Sequence, residues 1–217
     1  MTKQKVILEA PFTDEKIKSL KACDMFYISG ITYTGRDSAH KPLFEMIEKG
    51  EKMPFDFEGQ AIHYARPYPA KPGRPIGSVG PTTSGRMDAY SPLLIEHGLK
   101  VMIGKGSRST EVVNAIKNYT GVYFAAIGDA AALMALCVKS AEIIAFDDLD
   151  TEAIRKLKVD QLPVIVAIDS EDNNSYEIGR EKYAMNITAS LFLVCLLNFQ
   201  QILSLLRLLL FSSIQKK

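Results

Sequence analysis

The chain has no tryptophan, only three histidines and only three cysteines among its 217 residues. Cys23, Cys137 and Cys195 stand far apart and form no C-x-x-C, so they suggest neither a disulfide framework nor a zinc site. Cysteines used in this way fit a reducing, cytoplasmic compartment. An excess of one charge is missing as well: 26 Lys+Arg face 25 Asp+Glu, a formal net charge of +1. General nucleic-acid binders usually carry a basic excess, so that class is disfavoured. The first twenty residues, "MTKQKVILEAPFTDEKIKSL", lack the continuous apolar core of a secretory signal. No internal repeat or low-complexity tract is present.

What is present is an ordinary globular composition, 47% hydrophobic and 24% charged. Short runs rich in Val, Ile, Tyr and Phe, bounded by Gly or Asp, predict strands at 5–10, 25–35, 61–65, 100–104, 121–128, 141–146 and 162–169. Helix signals lie between them. Thr13 opens one helix, "SAHKPLFEMIEKG" ends at a C-cap Gly50, Ser109 caps a helix that stops at Gly121, and 128–140 reads as a helix with Asp129 as N-cap. The segment 66–79 carries four prolines and reads as an exposed loop. From about residue 100 the order alternates β-α-β-α-β, which implies parallel strands covered by helices. The expectation is one mixed α/β domain over 1–184.

Residues 185–217 are far more apolar than the rest. Asn198, Gln200, Gln201 and Arg207 interrupt what would otherwise be long enough to span a membrane. At 100° per residue, Gln200, Gln201, Ser204 and Arg207 share one arc and Phe199, Ile202, Leu203, Leu206, Leu209 and Leu210 the other. That predicts an amphipathic helical appendage, packed on this domain or a partner, with membrane contact or an aberrant tail as the alternatives. The sequon Asn186-Ile187-Thr188 reads as chance in a cytoplasmic chain.

"GPTTSGRM", Gly80 to Met87, is almost a phosphate-cradling P-loop, G-x-x-x-x-G-K-[ST]. Arg86 stands where the lysine belongs, and Met87 where the magnesium-binding hydroxyl belongs. The anion-binding elements survive: two glycines, the hydroxyls of Thr82, Thr83 and Ser84, and an arginine fork matched to a carboxylate. A helix starting just after would add its N-terminal amides. A plain Gly-Pro turn with a surface arginine accounts for the pattern equally well. "TGRDSAH" places Arg36 in a Gly-rich strand-to-helix junction, and "IGKGSRS" sets Lys105 between glycines after a strand. Three cations beside glycines and hydroxyls suit a dianionic ligand, although none is specific alone. His40 and His63 read as structural, and His97 as a helix C-terminal residue facing the dipole.

Taken together, "TGRDSAH", "GPTTSGRMD", "IGKGSRS" and "GVYFAAIGDAAAL", in this order, resemble the β subunit of class I fumarate hydratases and L(+)-tartrate dehydratases. The resemblance covers about residues 5 to 183 and extends to the C-terminal domain of single-chain class I fumarases, a swivelling β/β/α domain. It implies reversible addition of water to a dicarboxylate double bond, with a 4Fe–4S cluster whose cysteines lie on an α subunit. This chain would then supply half of an active site and need that partner. The resemblance places substrate-carboxylate contacts on Arg36, Arg86 and Lys105, and the base for the C–H proton on Thr82. The wording of the motifs is closer to fumarases than to tartrate dehydratases; a non-catalytic anion-binding subunit is a further reading. Two departures stand out: Arg66, where the family usually has glycine, and the tail after about Ala184.

Overall fold

In the computed structural model the described residues are 5–126 and 130–184. The expected N-cap Asp129 and the apolar appendage at 185–217 lie outside them. Met1–Ser175 is one compact unit; the second begins at Tyr176 and is helical as far as Ala184.

The first unit is built on a seven-stranded sheet that closes on itself. Strand β1 (Ile7–Glu9) runs parallel to β2 (Met25–Thr34), which runs parallel to β3 (Ala61–His63). The parallel run continues through β6 (Val101–Gly104) to β7 (Val122–Ala125). Between them, β4 (Ala65–Pro67) and β5 (Val79–Pro81) form a separate antiparallel ribbon, so the proline-rich segment read as a loop begins and ends in strand. The last strands are β8 (Val138–Ala145) and β9 (Ile154–Ile168), and β9 pairs antiparallel with β8, β7 and β2. The contacts of β9 with both β7 and β2 turn the sheet into a barrel-like ring. Full closure removes the unpaired edges that an open sheet would leave between those strands.

The parallel arrangement expected from residue 100 onward therefore stops at β7. The helix read over 128–140 is shorter, α5 (Ala131–Cys137), and the chain passes directly into β8. Only a 3-10 turn, Asp147–Glu152, separates β8 from β9, too short for a crossover, so the pair is antiparallel.

The amino-acid pattern of β9 explains how a 15-residue strand serves three neighbours. Leu157 and Val159 are buried while Lys156, Lys158 and Asp160 face solvent, as period-two alternation requires. At Gln161 the backbone turns left-handed (φ 53°) and the alternation slips by one residue, resuming as Leu162, Val164 and Val166. The same step shifts the register with β2 between Ile28 and Gly30. It acts as a bulge, bending the strand to close the ring. Ile28, Ala61, Val101, Ile103, Val122, Phe124, Leu157 and Val166 form one apolar cluster.

The helices cover this ring. α1 (Asp14–Lys18) is capped by Thr13, whose hydroxyl accepts from the Lys16 amide, as expected. α2 (Asp37–Glu48) closes before Gly50, whose φ of 66° few other residues adopt. α3 (Ser91–Glu96) and α4 (Thr110–Asn118) pack against each other. No helix among the described residues is long and apolar enough to cross a membrane.

Leu157 sits fully buried on the strand that closes the ring. Leu157→Ala is expected to lower unfolding free energy in urea by about 2–5 kcal/mol, whereas the exposed neighbour change Lys158→Ala should stay within about 0.5 kcal/mol.

Candidate active site

Parallel strands point their C-terminal ends the same way, and ligands of α/β sheets gather there. Arg36 follows β2 by two residues, Tyr64 follows β3, and Lys105 follows β6. Backbone hydrogen bonds tie these ends together: the Gly35 amide donates to the His63 carbonyl and the Tyr64 amide to the Ile103 carbonyl.

The "GPTTSGRM" segment is laid across these ends. Gly80 and Pro81 finish β5, and the Thr82 amide and hydroxyl both donate to the Tyr64 carbonyl, at 2.7 and 2.9 Å. Thr83 forms a parallel bridge with Lys105. The Ser84 amide donates to the Lys105 carbonyl (2.9 Å), and the Lys105 amide returns the contact to Ser84 Oγ (3.1 Å). The Tyr123 hydroxyl lies 2.9 Å from both Ser84 Oγ and the Gly106 carbonyl. Gly104 is required here, because an added Cβ would collide with Ser84 Oγ and reach within 3.0 Å of the Tyr64 ring. Thr82, Arg86 and Lys105 thus ride on two loops joined backbone to backbone.

No α-helix opens at Arg86, so the amides expected of one are not supplied. Ser84–Met87 is a 3-10 turn, and α3 starts only at Ser91. Met87 is fully buried: it fills the core where a P-loop would need a metal-binding hydroxyl. These features remove the nucleotide-loop reading. Arg86 and Lys105 are exposed, and among the described residues neither makes an ion pair. Arg36 differs: it is buried, at the N-cap of α2, and its Nη1 donates to Glu152 Oε1 at 2.9 Å.

Sequence reasoning missed Arg108 and Asp88, although both stand inside quoted motifs. The Arg108 side chain is fully buried. Its Nε donates to Asp88 Oδ1 (2.6 Å) and its Nη2 to Ser91 Oγ (2.8 Å), while the guanidinium sits between the Tyr64 and Tyr123 rings at 5.2 and 5.0 Å. Asp88 Oδ2 also accepts from the Ser109 amide at the start of α4 (2.6 Å). Burial works against the Arg108 charge, but Tyr64, Asp88 and Tyr123 outweigh it, and the net shift of its pKa is upward. The pattern of an acid in one loop and an arginine in the other was visible, but nothing in the spacing paired them.

His40 and His63 are buried, and the Nε2 of each has no hydrogen-bond partner among the described residues. His40 Nδ1 lies 2.8 Å from the Arg36 carbonyl, so it carries the proton and holds the turn that presents Arg36. Burial pushes both imidazoles down to about 4. His97 ends α3 with Nδ1 2.8 Å from the Leu93 carbonyl. Arg66 lies exposed on β4, and its Nε donates to Thr151 Oγ1 at 2.9 Å. Among the described residues no three His, Cys, Asp or Glu side chains come together to hold a metal ion. Cys23 is exposed in a turn and Cys137 lies at the end of α5, its thiol raised by burial. The described residues offer no ligand set for an iron–sulfur cluster.

The described residues form a closed mixed α/β ring with cation-bearing loops at the ends of its parallel strands. The chain belongs to the family described as fumarase C-terminus, whose model matches residues 1–179. It is 37% identical over 163 residues to "Fumarate hydratase class I, anaerobic" of Escherichia coli, covering 74% of this chain and 30% of that protein. It is 37% identical over 152 residues to "Fumarate hydratase 1, mitochondrial" of Leishmania major, 69% of this chain and 28% of that protein. Against "Putative L(+)-tartrate dehydratase subunit beta" of Methanocaldococcus jannaschii it is 38% identical over 176 residues, 78% of this chain and 90% of that protein. The chain therefore spans about 30% of the two fumarate hydratases.

Two outcomes follow from the buried charges. Asp88→Asn removes the carboxylate facing Arg108 and is expected to cost about 3–5 kcal/mol in denaturant unfolding, because a buried cation is left uncompensated. His40 and His63 are held neutral to about 4, while an unfolded histidine titrates near 6.5. The unfolded chain takes up protons that the fold refuses, so stability is full above pH 6.5 and declines as pH falls toward 4. Melting curves recorded from pH 7 to 4.5 should show that decline, and a His63→Asn variant should show a shallower one.

Proposed function

We propose that this chain is the β subunit of a hydro-lyase that interconverts fumarate and (S)-malate by adding or eliminating water. The observation that carries the reading is the gathering of Thr82, Arg86 and Lys105 on two interlocked loops, with Arg36 after the end of β2, the strand next to β3. Such loops, at the ends of parallel strands, suit a small dicarboxylate. On this reading residues 1–184 form the swivelling β/β/α domain of the family. The partner is an α subunit carrying the 4Fe–4S cluster, which supplies the Lewis acid for the hydroxyl group.

The residues of this chain then act on the carboxylates and the C–H bond. Arg86 and Lys105, exposed and without ion pairs among the described residues, hold substrate carboxylates by charge-assisted hydrogen bonds, with Arg36 as the third cation. Thr82 takes the proton from carbon. Its hydroxyl proton points to the Tyr64 carbonyl, which leaves the oxygen lone pairs free for substrate. A neutral alcohol is a weak base, so on this reading Thr82 gives its own proton to solvent before substrate closes the site; the adjacent cations favour the resulting oxyanion, against the desolvation that disfavours it. The glycine-permitted contact between Ser84 and the end of β6 fixes Thr82 relative to Lys105 before substrate arrives.

A second reading within the same chemistry is the β subunit of an L(+)-tartrate dehydratase. It is favoured by the relative named as such a subunit, which this chain matches over nearly its whole length.

Co-expression with a cluster-bearing α subunit, followed by assay on fumarate and L-tartrate, tests the proposal. Hydration of fumarate is expected; a fully cluster-loaded complex inactive on both substrates overturns it. Arg86→Met should weaken substrate binding by about 2–5 kcal/mol, read as a raised KM. Thr82→Val should cut kcat while leaving cluster content unchanged, and unaltered turnover would remove Thr82 from the mechanism.

A further inference from the structure

Among the described residues, Arg36 is the one candidate cation that makes an ion pair. Its side chain is 9% exposed and that of Glu152 17%, and they meet at 2.9 Å through Nη1 and Oε1. Asp37 Oδ1 lies 3.5 Å from Nη2. Three polar atoms of this cluster are buried without a hydrogen-bond partner: Arg36 Nε, Asp37 Oδ1 and Glu152 Oε2. Buried polar atoms are nearly always satisfied, and of these three only Arg36 Nε is a donor, so it alone can meet a carboxylate. Glu152 fixes Nη1, Asp37 lies beside Nη2, and the Nε–H has no hydrogen-bond partner among the described residues.

The segment that presents Glu152 is anchored more firmly than a surface turn needs. Arg155 donates to the carbonyls of Thr151, Ala153 and Asp150, and Arg66 donates to Thr151 Oγ1. Thr34, at the end of β2, donates to the Ala153 carbonyl and accepts from the Arg155 amide. Phe146 and Asp150 both adopt left-handed backbone (φ 55° and 50°) to shape the turn. The turn also packs against α2, the helix that Arg36 caps. Arg66 thus takes part in holding the turn that carries the carboxylate.

We infer that Glu152 is a positioning residue for Arg36: it holds Nη1 so that the Nε–H edge of the guanidinium meets a substrate carboxylate. The inference rests on the carboxylate-binding role given to Arg36 above. Glu152 does not touch substrate and acts only through the arginine. A guanidinium this deeply buried needs a fixed counter-charge to stay in place. Without one it gains by turning toward water, and the geometry for the substrate is lost. The loss falls equally on bound substrate and transition state, so it is read in KM rather than in kcat.

The experiment uses the full chain in complex with its cluster-bearing α subunit. Glu152→Gln keeps the size and removes the charge; it is expected to raise KM for fumarate about tenfold or more while kcat changes less than about threefold. In an Arg36→Lys background the same change should add less than about twofold, because a residue acting through Arg36 has nothing left to act on. An unchanged or lowered KM overturns the inference, and so does a full additional effect in the Arg36→Lys background. A wild-type complex with a loaded cluster and no turnover overturns the hydro-lyase reading and this inference with it. A wild-type complex that turns over while Glu152→Gln is silent overturns the inference alone.

Discussion

The site depends on one buried positive charge. Arg108 has no exposure to water, and an unpaired cation there would cost several kcal/mol. The fold supplies a carboxylate, a serine hydroxyl and two aromatic faces, each from a different part of the chain. Asp88 comes from the turn after Arg86, Ser91 from the start of α3, Tyr64 from the end of β3 and Tyr123 from β7. Satisfying this one guanidinium therefore brings together the loops that carry Thr82, Arg86 and Lys105. Asp88 meets two demands at once, since its second oxygen caps α4. A substitution at this cluster acts on the site without touching any group assigned to substrate.

The ring sets where that cluster stands. Three parallel strands end side by side only because β9 spans the gap between β7 and β2, and β9 can do so only by bending at Gln161. The slip of one residue is paid nowhere in the core: Leu157 and Val159 before it, and Leu162 and Val164 after it, are all buried. A straight 15-residue strand would turn one of these sets to water. The closed ring thus gives the loops a rigid base, which matters for a site whose groups must be held before the ligand arrives.

Much of this was legible in the sequence, for physical reasons that differ by region. Local signals worked where the chemistry is local: Thr13 and Gly50 bound their helices because capping and left-handed backbone depend on one residue. The strands β6 and β7 were readable as apolar runs. The orientation of β8 was not, because alternation implies parallel strands only while helices separate them, and α5 runs straight into β8. The first half of β9 was missed because "IRKLKVDQ" carries so much charge that it lacks an apolar run, although residues 156–160 alternate. At the site, the glycines and cations stood out, whereas the Asp88–Arg108 pair did not. Twenty residues separate them, and only the fold makes them neighbours.

The likeness of "GPTTSGRM" to a P-loop has a physical origin that is separate from nucleotide binding. A P-loop spaces its glycines so that backbone amides can wrap a phosphate. Here the amides of Thr82 and Ser84 are spent on the Tyr64 and Lys105 carbonyls, so they bind the loop to the sheet and cannot wrap an anion. The glycine that a close approach requires is Gly104, in the neighbouring loop, where Ser84 fills the space above it. Charge at the loop surface is left to the side chains of Arg86 and Lys105, which are exposed. Met87 completes the argument. Buried in the core, it anchors the turn from below while Arg86 beside it stays in solvent, so the side chain that holds the loop and the one that carries its charge are adjacent but separate.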